Sequence, residues 1–277
     1  MRNNQDRLAA ATPDPAEPAA AQKNSLFDFV NPTEFVDLPT KGRFYPEGHP
    51  LQNKEMVEIR YMTAKEEDIL TSRTLLKNGM AIDRLISSIL IDRSIDVRTL
   101  YVADKNAIMV AARITGFGPE YETRTTCPVC SATQNYTFDL NECRPYHGSD
   151  DLELTASGTF TVKLPRTEIT AEVKILNASE EDKLARLAQN KVKKKLPETT
   201  LTDQLKAIII SLNEQTERSI INKFVDLMPA QDSRFLRKEY MKAAPNVEMK
   251  NDFTCSSCGH EQEVDIPLTV DFFWSNR

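Results

Sequence analysis

Two Cys-x-x-Cys pairs constrain this chain more than any other feature: CPVC at 127–130 and CSSC at 255–258, with residues 131–254 between them. Each pair stands between two strand-like segments. That is the arrangement of a zinc knuckle, a tight turn that aims two thiolates at one point. Two knuckles together supply four thiolates, the usual tetrahedral set of structural zinc. The candidate ligands are Cys127, Cys130, Cys255 and Cys258. Each pair also carries half of the common C-P-x-C-G pattern. Pro128 lies within the first, and Gly259 follows the second, where left-handed backbone is often needed. Ser131 takes the glycine's place after the first pair, so a less regular turn is expected there.

Two other readings compete: reduced, unligated thiols, and a redox pair. The redox setting has CxxC opening a helix after a strand. Here polar and then alternating sequence follows each pair. The N-terminus has no apolar signal core, which predicts a chain that is not secreted. In a reducing compartment, an odd set of five cysteines favours a thiolate metal site over disulfides. Four thiolates leave no open coordination position, so such a zinc would be structural rather than catalytic. Cys143 reads as a plain thiol. His147 and His260 are the substitute ligands available, and His260 is expected to face solvent.

The wide separation of the pairs has an explanation in the sequence. EIRYMTAKEEDIL (58–70) and EVKILNASEEDKL (172–184) share six of thirteen positions. Thr63 and Glu66 form a T-x-x-E capping box, and Asn177 and Glu180 occupy the same two roles. A helix follows with Ile82, Leu85, Ile86 and Ile89 on one face, against Leu205, Ile208, Ile209 and Leu212 later, at the i, i+3, i+4, i+7 spacing. Then comes DRSI (92–95) against ERSI (217–220). Asp104 and Asp232 each open a third helix, with the same 23-position step to a cysteine (104 to 127, 232 to 255). Beyond each pair the apolar residues alternate: Tyr136, Phe138, Leu140 against Val264, Ile266, Leu268.

An internal duplication is therefore expected, each copy running strand, helix, helix, helix, strand, CxxC, strand. The fold class is α+β, with the two halves joined by a zinc-ribbon-like four-cysteine site. Residues 34–150 form the first repeat, and 151–277 the second with its aromatic tail DFFWSNR. Residues 1–33 form an arm that is disordered or ordered by a partner, since Ala, Pro and polar residues dominate 1–24. The aromatic and proline-rich stretch 25–51 is expected to run extended along a surface, its own or a neighbour's. AIIISL (207–212) suits a buried helix. The alternative to duplication is two unrelated helical stretches that share caps.

Composition narrows the function. No apolar run approaches a membrane span. The net charge of −6 disfavours nucleic acid, and KVKKK (191–195) reads as a solvated helix face. Three histidines, eight glycines and the absence of GxSxG, P-loop, GxGxxG and HExxH motifs argue against an enzyme. The EED clusters (66–68, 180–182) read as first-turn acids that complement the helix dipole.

FVDLPTKGRFYPEGHPL, VEIRYMTAKEEDILTSRTLLKNGMAIDRLI and TCPVCSATQNYTFDL together resemble the baseplate hub proteins of T-even-type contractile-tailed bacteriophages. The resemblance covers about residues 34–140 well. It implies a structural subunit of a phage-tail baseplate, present in the virion and assembled in the host cytoplasm. The expected partners are other baseplate and tail proteins in a hetero-oligomer, with neither membrane nor nucleic acid. Two alternatives remain open. One is an assembly chaperone absent from the mature virion. The other is a zinc-ribbon nucleic-acid adaptor, which the mixed charges flanking the knuckles (Glu122, Arg124, Asp252, Glu261) disfavour.

Overall fold

A computed structural model describes residues 32–149, 151–266 and 270–273. The expectations for the N-terminal arm through residue 31, for Leu268 and for Trp274 lie outside the described residues. In chain order, strands β1 (Thr33–Asp37) and β2 (Met56–Arg60) pair antiparallel. Helices α1 (Ala64–Thr71), α2 (Arg73–Lys77), α3 (Ala81–Ile89) and α4 (Val102–Phe117) follow. Next come a hairpin of β3 (Glu120–Thr126) and β4 (Thr133–Asp139), then the short β5 (Arg144–Tyr146). Strands β6 (Thr159–Lys163) and β7 (Thr170–Lys174) pair antiparallel, followed by helices α5 (Ala178–Lys193) and α6 (Thr200–Ile208). Strand β8 (Ile209–Leu212) returns to pair with β7. Helices α7 (Arg218–Leu227) and α8 (Ala230–Ala243), strand β9 (Asn246–Glu248), and a hairpin of β10 (Lys250–Thr254) and β11 (Glu261–Asp265) complete the order.

The mixed α and β content with small antiparallel sheets matches the expected class. Both capping sites are in place. Glu66 accepts from the Thr63 N–H at 3.0 Å, and Asn177 and Glu180 cap α5 reciprocally at 3.0 and 3.2 Å. Each glutamate is also tied to a cation at the end of the preceding strand: Arg60 to Glu66 at 2.6 Å, and Lys174 to Glu180. Glu66 is therefore more than a dipole-complementing acid, because it is completely buried.

Asp104 and Asp232 sit in the first turns of α4 and α8 and are completely buried. Neither spends its carboxylate on its own helix. Asp104 accepts from the Thr40 N–H and hydroxyl at 3.1 and 2.7 Å and from the Tyr45 hydroxyl at 2.7 Å. Asp232 accepts from the Arg166 and Thr167 N–H groups at 2.8 and 3.1 Å. Thr40 follows Val36-Asp37-Leu38-Pro39 off β1, and Arg166 follows Val162-Lys163-Leu164-Pro165 off β6. A V-x-L-P turn is thus pinned to a helix start in each half, a match legible only once Asp104 and Asp232 are seen to grip it.

One expectation is corrected. AIIISL is not a helix: α6 stops at Ile208, and Ile209 to Leu212 run as β8 against β7. The consecutive β-branched Ile208, Ile209 and Ile210 favour the pleated conformation. Their i, i+3, i+4, i+7 spacing still buries Leu205, Ile208, Ile209 and Leu212, by a turn of helix followed by a strand. Of the two surfaces expected for the aromatic and proline-rich stretch, the described part takes the chain's own: Leu38, Phe44, Tyr45 and Leu51 are all buried within its body. The φ of Gly158 is +72°, and a Cβ there would meet the Phe44 carbonyl oxygen at 2.5 Å. That close approach fixes the loop onto the second half.

The described residues from Thr33 onward form one compact unit with two principal apolar clusters. One joins β1, β2, α3 and α4 with Phe272 and Phe273 from the tail; the other joins Phe44 with β6, β7, β8, α7 and α8. The two tail aromatics are thus core residues. The short β5–β9 pair links the halves.

Candidate metal centre

The β3–β4 and β10–β11 hairpins bring the four cysteines together at their tips. The two turns share one hydrogen-bond pattern. The Cys127 N–H donates to the Ala132 carbonyl and the Ser131 N–H to the Cys127 carbonyl, both at 2.9 Å. The Cys255 N–H donates to the His260 carbonyl and the Gly259 N–H to the Cys255 carbonyl, again at 2.9 Å. Ser131 adopts φ +58° and Gly259 φ +69°. The first turn is therefore as regular as the second, contrary to the expectation raised by Ser131. The serine accepts a left-handed backbone that costs an L-residue about 1–2 kcal/mol.

The four sulfurs lie within 4.8 Å of one another. The Cys127–Cys258 and Cys130–Cys255 separations are 3.8 and 3.6 Å. Four sulfurs about 2.3 Å from a tetrahedral zinc stand roughly 3.8 Å apart, so the set has the dimensions to hold a metal. Cys127 and Cys255 are buried, Cys130 and Cys258 exposed. The N–H groups of Cys258 and Ser257 hold the Cys255 thiol down, to about 6, against the opposing effect of desolvation. The His260 N–H favours the Cys258 thiolate, but the crowded Cys130, Cys255 and Cys127 thiols outweigh it and push Cys258 up to about 12. Thiolates packed this closely repel one another, and a bound cation is what relieves that repulsion.

Contacts between the hairpins support the cluster independently of the sulfurs. The Tyr136 hydroxyl donates to the Asp252 carbonyl at 2.5 Å, and its ring meets Phe253 edge-on at 5.2 Å. The Gln134 amide donates to the Thr254 carbonyl at 3.1 Å and accepts from the Ser256 N–H at 2.8 Å and hydroxyl at 2.7 Å. The sequence marks Tyr136 only as a strand residue, and no local pattern marks Gln134, because its partners lie more than a hundred residues away.

The substitute ligands are placed elsewhere. His260 is half-buried with Nε2 3.4 Å from Gln262 Oε1, so it is not the solvent-facing residue expected. His147 Nδ1 lies 3.0 Å from the Pro39 carbonyl. Cys143 is half-buried, and desolvation raises its thiol to about 11, the behaviour of an inert thiol.

The class is thus a mixed α/β protein whose sole ligand-type cluster, among the described residues, is a set of four cysteines from two hairpins distant in the chain. The family described as T4 bacteriophage base plate protein matches residues 34–274, and the chain belongs to that family. No curated protein and no solved structure matches it. Membership implies association with other phage tail proteins and a place in the virion tail. No helix among the described residues is long and apolar enough to cross a membrane.

Proposed function

We propose that this chain is a structural subunit of the hub region of a contractile-tail baseplate, acting through contacts with other baseplate and tail proteins rather than by catalysis. We further propose that Cys127, Cys130, Cys255 and Cys258 hold one structural zinc. The family match over 34–274 supports the baseplate assignment. The zinc reading rests on the convergence of four sulfurs from two distant hairpins. Two similar halves, residues 34–150 and 151–277, account for that convergence as a duplicated unit. The paired carboxylates Asp104 and Asp232, gripping V-x-L-P turns, and the matched knuckles support the duplication. In this reading the zinc clamps the two copies at their tips and takes no part in chemistry.

Two measurements test the proposal. Mass spectrometry of purified particles is expected to find the chain at fixed stoichiometry, and its absence would exclude a structural component. Metal analysis of the purified chain is expected to give one zinc per chain, lost in Cys255→Ser. Full zinc content after removal of the second pair would overturn the shared site.

A further inference from the structure

Towards its C-terminal end, helix α5 carries apolar residues outward, whereas Leu184 nearer its start packs against the second cluster. Ala178 is its sole buried residue, and Leu187 and Val192 are 50% and 59% exposed. Leu196, just beyond its end, is 51% exposed. The end itself is tightly built. The Leu196 N–H returns to the Lys191 carbonyl and the Lys195 N–H to the Val192 carbonyl, a Schellman closure. Lys195 holds φ +53°, a position where glycine is the easy residue. Lys191 is paired with Asp203 at 2.5 Å. Lys193, Lys194 and Lys195 are exposed and make no ion pair among the described residues. Some positive charge here complements the helix C-terminus. The dipole effect falls off within the last turn, so it does not account for apolar side chains exposed between the lysines.

A cleft with the opposite character lies near the other end of α5. Its volume is about 650 Å³, and Tyr101, Leu176, Tyr240 and Ile266 give it an apolar lining, with Glu181, Glu248 and Asp265 around them. Lys250 also lines it but is engaged by Glu263 at 3.5 Å. From Glu181 to Lys193 a helix rises about 18 Å at roughly 1.5 Å per residue, so one chain presents both surfaces without overlap.

We propose that the basic, apolar end of α5 in one chain docks into the acid-rimmed cleft of a second copy. Val192 and Leu196 enter the apolar lining, and Lys193, Lys194 and Lys195 meet the carboxylates. Because the two surfaces differ, the contact is head-to-tail, and it generates a ring or an open filament rather than a two-fold dimer. The occupant is a second copy because the complementary charge and apolar character are both carried by this chain, whose net charge of −6 otherwise opposes self-association.

Sedimentation velocity on the full chain tests this. At about 100 μM and about 50 mM NaCl, the wild type is expected to sediment as species larger than a monomer. Association should weaken at least about tenfold at 500 mM NaCl, as exposed charges are screened. Two charge-reversed variants, K193E/K194E/K195E and E248K/D265K, are each expected to be monomeric. Mixed together they should associate again, because reversed end meets reversed cleft. Circular dichroism matching the wild type excludes misfolding as the cause of monomer formation. A monomeric wild type at low salt would overturn the proposal. So would self-association unchanged in either variant, or variants that stay monomeric when mixed.

Discussion

Glu66 is the most heavily engaged carboxylate in the first half, and its removal has a calculable cost. Arg60 donates to it through Nη1 at 3.1 Å and Nη2 at 2.6 Å, the Ser88 hydroxyl at 2.6 Å, and Thr63 through its N–H at 3.0 Å and hydroxyl at 2.7 Å. Strand β2 and helices α1 and α3 therefore meet at one buried carboxylate. Desolvation opposes ionisation, but these donors outweigh it and depress the group from the usual 4.5 to about 2. At about 1.4 kcal/mol per unit, that depression is worth roughly 3 kcal/mol. Removing one partner of a buried ion pair costs about 3–5 kcal/mol. Arg60 keeps 18% of its side chain exposed, which places Glu66→Gln near the lower end. The sign follows from the depressed folded value. The contribution is full above pH ~4.5 and is lost as pH falls towards ~2, with about 2 kcal/mol gone by pH 3. Urea unfolding of wild type and Glu66→Gln should differ by about 3 kcal/mol at pH 7 and about 1 kcal/mol at pH 3. Titration of other groups is common to both chains and cancels. A gap below about 1 kcal/mol at pH 7, or one that does not narrow with acid, would refute the reasoning.

Two further substitutions address the knuckles. Ser131→Gly relieves a left-handed serine and should raise unfolding stability by about 0.5–1 kcal/mol after the added freedom of the unfolded glycine is deducted, with metal content unchanged; a loss of stability in chemical denaturation would count against it. Gln134→Ala removes three hydrogen bonds between the hairpins and should weaken metal affinity about 10- to 100-fold, as loss of groups that orient ligands does; competition with a chromophoric chelator measures it, and unchanged affinity would show that the sulfurs alone set the site.

Much of the site was legible because a knuckle is a local device. CxxC, its flanking alternation and the glycine-type position are all contained in short windows, and Cys127, Cys130, Cys255 and Cys258 come together as their pattern requires. The capping residues Thr63, Glu66, Asn177 and Glu180 were legible for the same reason. What the sequence hides is non-local. AIIISL carries a helical spacing and strand-type residues at once, and the partner strand β7 decides between them at Ile209. Asp104 and Asp232 look like ordinary first-turn acids, yet each accepts from a turn more than sixty positions earlier. The φ of Ser131 is set by hydrogen bonds that close the turn on Cys127 and Ala132, which residue type alone does not reveal.

The two halves are joined at several points besides the sulfurs. Tyr101 packs against both principal clusters. The Ala178 N–H donates to the Leu100 carbonyl at 2.8 Å, tying the start of α5 to the first half. The tail crosses back: Phe272 lies 5.1 Å from Tyr121, and its carbonyl accepts from Arg113 Nε at 3.1 Å. By contrast, the apolar residues around Cys127 and Cys255 are few, chiefly Phe253, Tyr136 and Val264. Small zinc modules without a core depend on the metal to fold at all. Here two apolar clusters are assembled without any of the four knuckle cysteines in them, so a metal at the tips would add to a body already joined. Its effect would be to hold the ends of two hairpins in register.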